Sequence, residues 1–254
     1  MSQPLVIDAA FTPGEVQSLS RKVCIVVDVI RSSSTLAVIM SRNPGQVILT
    51  PTVQKAQKFA SQQKVHPVLC GERGGLPPEG FDFGNSPREY LNIDLSGKTV
   101  IFTSSNGTRA IADIAMAPHV LMGSFLNSSK VVEEALAIAQ GNGLDIMVVC
   151  AGREEKFALD DAYCAGHLIA RLAGSLGVEQ PFTLADGGQA ALAIWGYYRD
   201  PEKLLRQSGS GVEIEKIGLG EDLSFLTRLD TFSCVPSLIN RGNPNPPSGF
   251  SILL

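Results

Sequence analysis

The hydrophobic positions of this chain fall into short runs rather than long stripes. Each run ends in polar, glycine-rich sequence, and a helix-like segment often comes next. The clearest runs are Val23–Val29, Val47–Leu49, Val68–Cys70, Val100–Thr103, Val120–Met122 and Ile146–Cys150. Their β-branched content favours strands, and the lack of strict polar alternation marks strands buried on both faces. Helix signals lie between them. Thr50-Pro51 reads as an N-cap followed by proline at the first helical position, with Val53, Ala56, Phe59 and Ala60 on one face. From Lys130 to Gln140, Val131, Val132, Ala135, Leu136 and Ala139 recur at helical spacing, and Asn127 or Ser128 would cap the start. Asp160 to about Leu172 reads as a helix stopped by Gly174, and Asp186 leads through Gly187-Gly188 into an apolar helix ending near Tyr198. After the Gly/Ser break at Ser208–Gly211, Val212–Leu219 is expected as a strand and Asp222 to Leu229 as a short helix.

Two stretches depart from this rhythm. Between Gly74 and Asn92, "GGLPPEGFDFGNSPREYLN", Pro77, Pro78 and Pro87 exclude a long helix, and the segment is expected as a long loop excursion. "NPNPPSG" near the end is expected as an irregular surface tail. The remaining alternation predicts one α/β domain over the 254 residues, with a mixed or mostly parallel central sheet flanked by helices and right-handed crossovers.

Composition narrows the partners more than the fold. The formal net charge is −4, with no long basic run and no aromatic-rich RNA motif, which argues against nucleic acid. No apolar segment reaches membrane-spanning length, and the start of the chain shows no basic region followed by an apolar core, so neither a membrane nor a secretory route is expected. Cys24, Cys70, Cys150, Cys164 and Cys234 are scattered in or near apolar runs, as buried thiols of a cytoplasmic protein are. A homo-oligomer is left open.

In parallel α/β sheets, ligands bind beyond the carboxyl ends of the strands. Here those ends release Asp28, Arg31 and the row Ser32–Thr35; Glu72-Arg73 with glycines; the loop Ser104-Ser105-Asn106-Gly107-Thr108-Arg109; and Arg153-Glu154-Glu155 followed by Asp160-Asp161. Arginine presents a planar fork that matches phosphate, carboxylate or sulfonate oxygens. The hydroxyls of Ser104, Ser105 and Thr108 and the amide of Asn106 add donors, and Gly107 lets backbone approach closely. Ordinary turn and cap chemistry accounts for the same loop residues. A small, multiply anionic ligand would nevertheless repel Asp28, Glu72 and Asp161. Either a divalent cation such as Mg²⁺ joins these carboxylates to the ligand, or each pairs with a neighbouring arginine; the sequence supports both. Of the adjacent Asp160 and Asp161, only one need face the site.

Other chemistries lack their signatures. There is no GxxxxGK[ST] loop, no GxGxxG after the first strand and no GxSxG elbow, and "GNG" at Gly141–Gly143 precedes a strand instead of coming after one. "VVDVI" has a single aspartate where dehalogenase-type phosphatases need two. His66 and His119 sit at strand entrances, and His167 is a core or surface residue with general-acid chemistry as its alternative. Cys70 and Cys150 lack a histidine partner for nucleophilic work.

Together, "VVDVIRSSST", "CGERGG" with "GFDFGNSP", "TSSNGTRAI" and "CAGREEKFALDDAYCAG" resemble the 2-phosphosulfolactate phosphatase family from about Val23 to Gly166. The resemblance implies an α/β fold distinct from the common phosphatase folds. It also implies Mg²⁺-dependent hydrolysis of 2-phospho-3-sulfolactate to 3-sulfolactate and inorganic phosphate, a step of coenzyme M synthesis in methanogens. It further implies that Asp28, Arg31, Glu72, Arg73, the Ser104–Arg109 loop, Arg153 and Asp161 form the site. In that reading Asp28, Glu72 and Asp161 hold the metal and, with Arg31, carry the catalysis. Arg31 and Arg109 meet the phosphate, while Arg73 and Arg153 meet sulfonate or carboxylate. A non-catalytic binder of anionic metabolites, or a phosphatase for another phosphorylated hydroxy-acid, satisfies the same pocket logic.

Overall fold

The computed structural model describes residues 4–176, 181–238 and 250–253. Its strands are β1 Leu5–Ala10, β2 Lys22–Val27, β3 Gln46–Leu49, β4 Val68–Gly71, β5 Thr99–Thr103, β6 His119–Met122, β7 Asp145–Cys150, β8 Phe182–Leu184, β9 Ser237–Leu238 and β10 Phe250–Leu253. Its helices are α1 Ser32–Met40, α2 Val53–Ser61, α3 Gly107–Asp113, α4 Ser128–Asn142, α5 Leu159–Leu176, α6 Asp186–Tyr197, α7 Pro201–Gln207, α8 Gly209–Lys216 and α9 Glu221–Leu226. This is the expected α/β architecture with a mixed, mostly parallel central sheet. The strand order is β4-β5-β3-β10-β9-β6-β2-β7-β1-β8.

The core explains why the strand runs do not alternate. Val23, Ile25 and Val27 of β2 pack into one cluster with α4 and α5 residues, while Cys24 and Val26 pack into a second cluster with α1 and α3 residues. Strand β7 divides in the same way, Ile146, Val148 and Cys150 against Met147 and Val149. Both faces are dry, so both require apolar side chains. Helix α1 is buried along its whole length, Ser32 to Met40.

The topology bears directly on the site. β4, β5 and β3 form one parallel group, and β6, β2, β7, β1 and β8 form another. Three successive antiparallel pairings, β3 to β10, β10 to β9 and β9 to β6, join them. An odd number of reversals sets the two groups in opposite senses along the sheet. In a flat sheet their carboxyl ends would emerge at opposite edges. Residues after β2, β4, β5 and β7 nonetheless line one cavity.

Several local expectations are corrected. The segment expected as strand Val212–Leu219 is mostly helix α8, because the Ser208 hydroxyl accepts from Gly211 N at 3.0 Å and caps it, and Gly211 and Ile214 bury one face. The cap of α2 is Thr52, whose hydroxyl accepts from Lys55 N, rather than Thr50. Helix α5 passes through Gly174 to Leu176 instead of stopping at the glycine as expected; a single glycine lowers helix propensity by about 1 kcal/mol and does not by itself end a helix whose face is buried by Leu168, Leu172 and Leu176. The excursion from Gly74 is a loop with one 3-10 turn at Pro87–Tyr90, as its prolines require. The "NPNPPSG" tail lies outside the described residues. Strand β1 is not among the expected runs, because Asp8 interrupts it; that carboxylate accepts from Ala9 N and from Gly188 N at the start of α6. All five cysteines are free, four of them buried.

Candidate active site

The cavity at the converging strand ends measures about 240 Å³. Asp28, Ile30, Arg31 and Ser32 line it from the end of β2; Glu72, Gly74, Gly75 and Asn85 from β4 and the excursion; Ser105 and Asn106 from β5; Arg153 and Glu154 from β7. A further wall comes from α8 and the turn after it: Ser210, Glu213, Ile214 and Ile217.

The loop after β2 is knitted by its own hydroxyls. Ser33 N and Oγ both donate to Asp28 O at 3.0 Å, Ser34 Oγ donates to Val29 O at 3.0 Å, and Thr35 Oγ1 donates to Asn85 O at 2.9 Å. Of the serine row only Ser32 lines the cavity. The peptide between Ile30 and Arg31 is cis. Asp28 is buried, and Gly107 at the start of α3 passes directly against it. A Cβ on Gly107 would stand 2.6 Å from Asp28 Oδ2 and 2.6 Å from Ser32 Cβ. Only glycine permits that approach.

The carboxylates divide into two kinds. Glu72 faces the cavity and also staples two loops, Oε1 accepting from Ser105 N at 2.6 Å and Oε2 from Gly75 N at 2.9 Å. Asp161 is a brace: its Oδ1 accepts from Val29 N at 2.9 Å and its Oδ2 from Gly152 N at 3.1 Å, tying the ends of β2 and β7 to the start of α5. It is not among the residues that line the cavity. Its neighbour Asp160 is also buried, and Asp160 Oδ1 has no hydrogen-bond partner. Burial, opposed by bonds to Ser32 and reinforced by Glu72 and Asp160, pushes the Asp28 carboxyl up to about 6. Burial likewise raises Asp160, and burial together with Asp160 and Asp28 raises Asp161 well above the usual range.

The four expected arginines separate in the same way. Arg31 and Arg153 line the cavity; Arg73 and Arg109 do not. Arg73 is spent on Glu72 O, Pro51 O and Thr103 Oγ1. Arg109 pairs with the exposed Glu155 at 3.0 Å. Arg153 pairs with Glu213 of α8. Arg31 donates to Asp222 Oδ2 of α9 at 2.7 Å and to Gly75 O at 2.6 Å, so its carboxylate partner is not the nearby Asp28. In the "SSNGTR" loop, Ser105 and Asn106 reach the cavity, whereas Ser104 and Thr108 cap each other: Thr108 N donates to Ser104 Oγ at 3.0 Å and Thr108 Oγ1 to Ser104 O at 2.8 Å. His167 is buried against Phe125 and Trp195, and burial pushes it down to about 4, which leaves it neutral and away from the cavity.

Among the described residues no group of three or more His, Cys, Asp or Glu side chains is gathered tightly enough to hold a metal by itself. Mg²⁺ does not need such a cage. It is commonly held by one or two carboxylates with waters and substrate phosphate. The donor set fits on that basis: Asp28 and Glu72 line the cavity and offer only oxygen ligands, and the buried Asp160 Oδ1 has no hydrogen-bond partner. Four carboxylates against two guanidiniums line the cavity, so an anion would enter beside a cation more readily than alone.

Fold and site together define an α/β protein with a small, charged ligand cavity at the carboxyl ends of its strands. The sequence profile of the 2-phosphosulpholactate phosphatase family matches residues 10–241, and the chain belongs to that family. Its relatives include proteins named probable 2-phosphosulfolactate phosphatase from Thermus thermophilus, 36% identical over 220 residues (86% of this chain, 89% of that protein), and from Deinococcus radiodurans, 36% over 219 residues (85% and 88%). Another, from Clostridium acetobutylicum, is 30% identical over 224 residues (88% and 92%). Among the described residues no helix is long and apolar enough to cross a membrane.

Proposed function

We propose that this chain hydrolyses 2-phospho-3-sulfolactate to 3-sulfolactate and inorganic phosphate in the cytoplasm, with Mg²⁺. The carrying observation is a cavity that joins Arg31 and Arg153 to Asp28 and Glu72 in a member of this family. The substrate carries phosphate, sulfonate and carboxylate, and the cavity of about 240 Å³ has room for a small acid of that size, about eight waters by volume. Arg31 is assigned to the phosphoryl oxygens and Arg153 to sulfonate or carboxylate. Ser105 and Asn106 supply neutral donors. Asp28 and Glu72 would hold Mg²⁺, which when bound supplies charge neutralisation for the phosphoryl group. Asp28 orients the attacking water and takes one of its protons; the water oxygen forms the new bond to phosphorus while the bond to the C2 oxygen breaks, and that oxygen takes up a proton from solvent, to which Asp28 returns its own. Preorganised charge of this kind is the main protein contribution to phosphoryl transfer. Asp161 keeps the ends of β2 and β7 in register beneath the site.

The test is phosphate release from a panel containing 2-phosphosulfolactate, 2-phospholactate and other phosphorylated hydroxy-acids, with Mg²⁺ and with EDTA. Release should be fastest from the sulfonate and should fall sharply with chelation. Release from none of them overturns the phosphatase reading in favour of a binding protein; release indifferent to EDTA removes the metal.

A further inference from the structure

We propose that Asp222, on α9, is a positioning residue of the anion cavity: it fixes the Arg31 guanidinium so that its unspent N–H groups serve the bound anion. The proposal rests on reading the cavity as an anion site. Arg31 and Asp222 lie 191 residues apart in sequence, meet at 2.7 Å, and have side chains each 1% exposed. The second oxygen of Asp222 accepts from Ser86 Oγ at 2.6 Å, so the carboxylate is itself held from the excursion. Gly75 O accepts from the other terminal nitrogen of Arg31 at 2.6 Å. The planar fork is therefore pinned at two nitrogens by two separate segments, while the same residue lines the cavity.

A guanidinium carries five donors, and these contacts use two of them. The remainder keep one orientation because the plane cannot rotate. A free arginine loses side-chain entropy when it clamps a ligand; a pinned one has already lost it on folding. Stability alone is a poor explanation for the pair, since a buried ion pair is often no more stabilising than apolar residues of the same volume. Charge is a poor explanation too, because Asp222 weakens the field that Arg31 presents to an anion. Orientation is what the arrangement supplies.

Asp222→Ala and Asp222→Asn, with folding checked by circular dichroism, separate these accounts by calorimetric titration with inorganic phosphate in the presence of Mg²⁺. Positioning predicts phosphate affinity about 10- to 100-fold weaker for the alanine variant. Asparagine, which keeps an acceptor, should recover part of the loss, and in turnover kcat should fall by more than KM rises. Unchanged or tighter phosphate binding in a folded variant overturns the proposal, the tighter result showing that Asp222 only damps charge. If alanine unfolds the chain, the asparagine variant decides. Failure of both to fold overturns it in favour of a structural pair, and no phosphate binding by the unaltered chain overturns it as well. If the unaltered chain binds phosphate but hydrolyses nothing on the panel, the phosphatase reading falls and the positioning test stands.

Discussion

The strand-end wall of the cavity and its helical wall are built on different terms. At the strand ends, charged groups sit where the backbone places them: Asp28 comes just after β2 and is pressed against Gly107, and Glu72 is stapled to Ser105 and Gly75. On the helical side only α8 and the turn after it line the cavity, and α8 and α9 place few groups of their own toward a ligand. Their acids meet the arginines of the other wall, Glu213 with Arg153 and Asp222 with Arg31. One of those pairs is buried and the other partly exposed, with side chains 34% and 56% accessible. In the proposed function the strand ends carry the reacting charges, and the acids of the helices hold the arginines that would meet the anion.

The most damaging change should be at the strand-end wall. Asp28→Asn is expected to reduce phosphate release by about 10²- to 10⁴-fold with the fold retained. Its effect on stability has a defined sign. The folded carboxyl is pushed up to about 6 from 3.8, so Asp28 stabilises the fold below pH 4 and that contribution is lost as pH rises through 6. The variant should therefore gain on the unaltered chain in metal-free buffer between pH 4 and pH 7, by at most about 3 kcal/mol. Thermal melts across that range check it; a gain that grows toward low pH instead would show that Asp28 is ionised and well paired.

Gly107→Ala tests how closely that wall is fitted. Its Cβ would stand 2.6 Å from both Asp28 Oδ2 and Ser32 Cβ, so Asp28 or the start of α3 must move. A stability loss of about 1–3 kcal/mol is expected. Turnover should fall by about 100-fold if a displacement near 1 Å reaches the reacting groups. A variant as stable as the unaltered chain and with normal turnover would show that the strand-end wall yields where close packing forbids it.

The unequal legibility of the two walls has a physical cause. A strand that stops being apolar and releases Asp, Arg, Ser and Gly announces a site, because the sheet must bury the apolar run and the crossover must expose the polar residues after it. That logic found Asp28, Arg31, Glu72, Ser105, Asn106 and Arg153, all of which line the cavity. It could not sort Arg73 and Arg109 from Arg31 and Arg153, since all four lie just beyond strand ends and only three-dimensional contacts separate them. Nor could it choose between Asp160 and Asp161, adjacent on one helix. The segment around α8 does not end an apolar strand run: Ser210 lies in the Gly/Ser break, and Glu213 and Ile217 lie in the stretch after it. Val212–Leu219 has the pattern of a strand, and the Ser208 cap with the burial of Gly211 and Ile214 makes it a helix. The general α/β architecture is legible in the apolar runs. The opposed senses of the two parallel groups are not, because the short β9 and β10 that cause the reversal leave almost no pattern.

The smallest effects should come from loosening the outer ion pairs, and they bear most directly on the division of labour between the walls. Glu213→Gln removes the charge that competes for Arg153 without disturbing a buried group, so stability should change by less than about 1 kcal/mol. With Arg153 released toward the cavity, KM for the sulfonated substrate should fall about two- to fivefold, an effect within the range of a partly exposed ion pair. KM for the substrate lacking the sulfonate should change less if Arg153 meets that group. Arg109→Ala is the matched control, because its partner Glu155 lies outside the cavity; kcat/KM should stay within about twofold. Steady-state kinetics on both substrates give the answer. A large loss from Arg109→Ala would return that arginine to the phosphate, and an unchanged KM in Glu213→Gln would leave the helical wall acting on Arg31 alone.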